Sequence, residues 1–72
     1  MSAADDFTSR QLELFAERCR ELAERVNLDL ISFIDAIDMA YSAATWSGLS
    51  DSVGDHTVQA VMRNAFMGAR HP

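Results

Sequence analysis

Seventy-two residues with a net charge of −5, 49% hydrophobic residues and one cysteine make a single small domain. The lone Cys19 excludes an internal disulfide framework, so a core of this size supplies on the order of 3–5 kcal/mol unless something reinforces it. Asp29, Asp35, Asp38, Asp51 and Asp55 fill the middle of the chain with no arginine or lysine between Val26 and Met62, which disfavours a phosphate-binding surface there.

The N-terminal MSAADDFTS is acidic and polar, where a signal peptide needs positive charge followed by an apolar run. Residues 1–6 carry no periodicity and read as a disordered arm. A first helix is expected over 8–26. Thr8 and Gln11 have the spacing of a capping box, and Phe7 and Leu12 that of a hydrophobic staple. Leu12, Phe15, Cys19, Leu22 and Val26 form its apolar stripe, with Ala16 and Ala23 alongside. Glu17 with Arg20, and Glu21 with Arg25, are spaced to pair on the solvated face. Cys19 lies on the apolar stripe with no second cysteine or histidine at ligand spacing, so a buried, reduced thiol in the cytoplasm is expected.

Asn27 can end that helix in a left-handed conformation, and Asp29 can cap the next one, with Leu28 and Phe33 as its staple. The second helix, 29–47, shows two apolar seams. One is Leu30, Ile34, Ile37, Tyr41 and Ala44; the other is Ser32, Ala36, Met39, Ala43 and Trp46. At about 100° per residue they fall on roughly opposite sides of the cylinder, so the helix asks for neighbours on both. The rest of a chain this short covers one side, and the second seam predicts a partner, most simply a second copy. Its alanines let two backbones approach while Met39 and Trp46 anchor the contact. Three aspartates make the stretch costly to insert in a bilayer, by roughly 2.5–3.5 kcal/mol each at the centre, which predicts a soluble protein.

Ser47-Gly48 ends the second helix, with Gly48 at the position that favours a left-handed residue. Residues 48–55, GLSDSVGD, read as a turn-rich connection. A third helix is expected over 55–68 with Val58, Val61, Met62, Ala65 and Phe66 on one face, although Ser52 could cap it one turn earlier. The fold expected is all-α: an antiparallel hairpin of 8–26 and 29–47 plus a third helix, packed as a dimeric bundle.

Motifs for chemistry are sparse. Asp35 and Asp38 share a helical face, and with His56 they are the only candidates for a metal site, but a di-metal bundle needs carboxylates from several helices and a Glu-x-x-His motif that the chain lacks. No phosphate loop, zinc cysteine pair or dinucleotide fingerprint occurs, so neither a cofactor nor enzyme activity is expected. Arg63 and Arg70 share a face with His56 and Gln59 on the third helix, the arrangement of a small DNA-binding regulator, but two arginines are few for that role. All six basic residues are arginine, in keeping with a GC-rich bacterial source. The function expected is a non-catalytic interaction module, an adaptor, regulator or inhibitor acting as a homodimer or on another protein; the alternatives are a small DNA-binding regulator using the helix 55–68 and a metal- or ligand-binding helical protein.

Overall fold

A computed structural model of the chain describes residues 3–67, with side chains from residue 7 onward. Four helices follow in order: α1 (Ala3–Asn27), α2 (Phe33–Trp46), α3 (Leu49–Val53) and α4 (Asp55–Met67). The all-α expectation holds, with one helix more than expected. Gly68, Arg70, His71 and Pro72 lie outside the described residues, as do the first two positions of the expected arm.

The long α1 starts at Ala3, so residues 3–6 belong to its first turns and Thr8 stands inside the helix instead of capping it. Its expected stripe is the core: Phe15, Cys19, Leu22 and Ala23 are buried, and Leu12 and Val26 pack against them. Among the described residues the ion pair on α1 is Arg18 with Glu21 at 3.7 Å, in place of the two pairs the spacing offered. Such exposed pairs contribute little.

The α1–α2 connection corrects the expected caps. Asp29, not Asn27, takes the left-handed conformation, at φ 61°. Leu30 N–H then donates to the Arg25 carbonyl at 2.9 Å and Asp29 N–H to the Val26 carbonyl at 3.0 Å. These are the two reversed bonds of a Schellman end, which satisfy carbonyls the helix would otherwise leave open. With Asp29 used there, Ser32 caps α2 by accepting from the Asp35 N–H at 3.0 Å.

Ala36, Ala40 and Ala44 of α2 are all 0% exposed, flanked by partly buried Phe33 and Ile37. This line at i, i+4 and i+8 faces α1 and α4, and the missing side-chain bulk lets the three helices converge. Phe33 meets Phe66 of α4 edge-on, ring centroids 6.1 Å apart. Opposite ends of α2 and α4 therefore come together: Phe33 lies by Phe66, and Tyr41 by Asp55. Arg18 stands beside Met39 and Ala43, while Thr8 stands beside Ser47 and Leu49, so α1 also runs antiparallel to α2, as the hairpin reading requires.

The turn-rich connection contains α3. Gly48, at φ 80°, ends α2 as expected, and Gly54, at φ 90°, ends α3. Between them Leu49 is buried and Val53 packs on the core. Leu49 and Val53 have helical i, i+4 spacing, so this turn of helix plugs the end of the bundle.

The alanine line yields a stability prediction. Ala40→Leu must force α2 away from its neighbours and should cost about 1–3 kcal/mol in urea unfolding, whereas Ile34→Ala, at an exposed position, should stay within about 0.5 kcal/mol of the parent. Equal stability of the two variants would contradict the packing described.

Candidate interaction surface

The line of alanines fixes where every large side chain of α2 goes. Taking Ala36, Ala40 and Ala44 as the inward direction, Met39, Ala43 and Trp46 fall on one flank and Ile34 and Tyr41 on the other. Both flanks are open. Trp46 is 89% exposed, Ile34 71% and Met39 44%.

The two expected seams are thus out of phase with the packing. In the seam assigned to a partner, Ala36 is fully enclosed by the chain's own core and Ser32 serves as a cap, leaving Met39, Ala43 and Trp46 on the surface. In the seam assigned to the core, Ala44 is buried and Ile37 partly so, but Leu30, Ile34 and Tyr41 are exposed. Ala40 belongs to neither seam and is among the most completely buried residues. Large apolar residues were expected to point inward; close helix approach reserves that space for alanine.

Met39, Ala43 and Trp46 line a groove of about 420 Å³ between α1 and α2. Arg18, Asp38 and Ser42 complete its walls. The contribution of Arg18 could not be read from α2 alone, because it depends on how α1 is rotated against it. The groove offers an apolar floor, a cation, a carboxylate and a hydroxyl, the composition of a contact surface with a polar rim.

A second groove of about 490 Å³ lies between α2 and α4, floored by Phe33, Ile37, Met62 and Phe66 with Asp38 and Arg63 on its lips. One end is tied by Asp55, which accepts from the Tyr41 hydroxyl at 2.6 Å and from the Gln59 amide at 2.9 Å. Asp55 holds the Tyr41 hydroxyl's proton through that bond, and its negative charge opposes a second one on the ring, so the Tyr41 pKa is raised.

The remaining candidates are dispersed. Asp35 lies in the first turn of α2, and Asp38 reaches the rims of both grooves. His56 is exposed in the first turn of α4. Among the described residues no three His, Cys, Asp or Glu side chains gather as a metal site. Arg63 is exposed on α4, while its proposed companion Arg70 lies outside the described residues. Cys19 is a free, fully buried thiol whose pKa burial pushes up to about 11, against a smaller opposite pull from Arg20, which makes it a poor nucleophile. Among the described residues no helix is long and apolar enough to cross a membrane.

Comparison of the chain with protein-family models, with curated proteins and with solved structures finds no match.

Tyr41 is the chain's single tyrosine, so tyrosinate absorbance reports on it alone. Because the folded-state pKa is raised, the tie stabilises the fold below the ordinary tyrosine value of about 10 and is lost as pH climbs through the higher one. The absorbance midpoint should lie above that of the urea-unfolded chain, and Asp55→Asn should bring it down. A midpoint unmoved by Asp55→Asn would show that the carboxylate does not hold the hydroxyl.

Proposed function

We propose that this chain is a non-catalytic helical interaction module that acts as a homodimer through Met39, Ala43 and Trp46. The observation carrying this reading is the position of Trp46, the chain's single tryptophan, 89% exposed on the wall of an apolar groove. A side chain of this size left in water forgoes most of its burial free energy, and tryptophan with a neighbouring methionine is the composition of an interface centre. A second copy supplies a matching groove and a matching tryptophan in the same association.

The acidic middle of the chain disfavours nucleic-acid binding, and Asp38 stands on the wall of this same groove. The buried, free thiol of Cys19 fits a reducing compartment, and the reading places the protein in the bacterial cytoplasm.

Light scattering coupled to size exclusion across the micromolar range tests the assignment. The parent should approach twice the chain mass of 8.0 kDa. Trp46→Glu should weaken the dimer by about 2 kcal/mol or more, roughly 30-fold in Kd, without loss of helical signal. A parent that stays monomeric throughout, or a Trp46→Glu variant that dimerises as tightly as the parent, would refute it.

A further inference from the structure

The short helix α3 is held in place by few groups. Five residues are too few for a helix to stand by itself in water, so its position depends on what it packs against. Leu49 is buried and Val53 packs on the core. Among the described residues no α3 side chain makes a hydrogen bond or an ion pair. Its first amide, that of Leu49, reaches the Ser47 hydroxyl at a long 3.4 Å.

Ser50 works against closure. Its hydroxyl oxygen is buried, and among the described residues it has no hydrogen-bond partner. A buried hydroxyl without a partner weighs against the packed state about as much as the burial of one leucine weighs for it, and it regains water when the helix lifts away. The contact with α1 is also incomplete: a cavity of about 30 Å³ lies between the two helices, with Thr8, Gln11, Ser47 and Ser52 on its walls. Packing across it is lost, and its polar walls favour the entry of water.

The chain on either side is anchored. The Ser47 N–H donates to the Ala43 carbonyl at 3.1 Å at the end of α2, and Asp55, which opens α4, is tied to Tyr41 of α2 at 2.6 Å. Between these fixed points stand Gly48 at φ 80° and Gly54 at φ 90°, with no atom within 4 Å of where a side chain would project from either. Both are free to turn without collision.

We infer that α3 is a hinged lid over the end of the core: it opens as one unit about Gly48 and Gly54 while α1, α2 and α4 stay folded, and it uncovers the apolar seat of Leu49 and Val53. Opening needs no second copy of the chain.

Amide hydrogen exchange of the full chain, resolved by NMR and corrected for intrinsic rates, tests the lid. The Ser52 and Gly54 amides, bonded to the Gly48 and Ser50 carbonyls, report its opening, and the amides of buried Ala40 and Met62 report the core. Ser52 and Gly54 should exchange at least about tenfold faster than Ala40 and Met62 and share one opening constant, and low urea should speed the core amides more steeply. Ser50→Ala should slow Ser52 and Gly54 by about tenfold, whereas Ser52→Ala, at an exposed position of the same helix, should change them by no more than about threefold. Exchange of Ser52 and Gly54 at the rate and urea dependence of Ala40 and Met62 would overturn the lid, since α3 would then open only with the whole fold. A Ser50→Ala variant no slower than Ser52→Ala would overturn the part given to the buried hydroxyl.

Discussion

The close approach of three helices along Ala36, Ala40 and Ala44 is the constraint from which the rest of the structure follows. Each of these residues has no exposed surface, so the inward side of α2 has room for a methyl group and little more. The larger side chains of α2 are displaced to the flanks: Phe33 and Ile37 to the edge of the core, Ile34 and Tyr41 toward α4's side, Met39 and Trp46 toward α1's side. The surface that carries the proposed function is the consequence of how the core is packed.

Polar contacts then fix the ends of the bundle. The Asp29 and Ser32 caps turn the chain between α1 and α2. Leu49 plugs the opposite end through α3, and Asp55 ties Tyr41 of α2 to Gln59 of α4. The single cysteine acts as a small apolar residue within the core. These features use up the conspicuous groups of the core and turns, whereas Met39 and Trp46 perform no packing task proportionate to their size.

Much of the helical architecture was legible because its signals are periodic. The stripe of α1 from Leu12 to Val26, the end of α2 at Gly48 and the start of α4 at Asp55 all follow from residue spacing and turn chemistry. The caps were harder: Asp29 and Ser32 are both good cap residues, and the choice depends on Asp29 being needed in the left-handed turn that closes α1. The α3 helix was hidden within a Gly- and Ser-rich run, where only the spacing of Leu49 and Val53 marked it. The phase of α2 was missed because large apolar residues at helical spacing outweighed a line of alanines. Ala36, Ala40 and Ala44, spaced by four, were the available sign of close packing. Met39, Ala43 and Trp46 were identified as a surface from the sequence, but the Arg18 wall of their groove depends on the rotation of α1 and has no local signature.

The measurement closest to the central claim is the fluorescence of Trp46 as a function of protein concentration, since the chain has no other tryptophan to obscure it. If a second copy covers the indole, its emission should move to shorter wavelength as concentration rises, along the same curve as the increase in mass. An emission maximum that stays at the position of a water-exposed indole over the whole range would contradict the account, because the residue that the core displaces outward would then have no partner in a second copy of the chain.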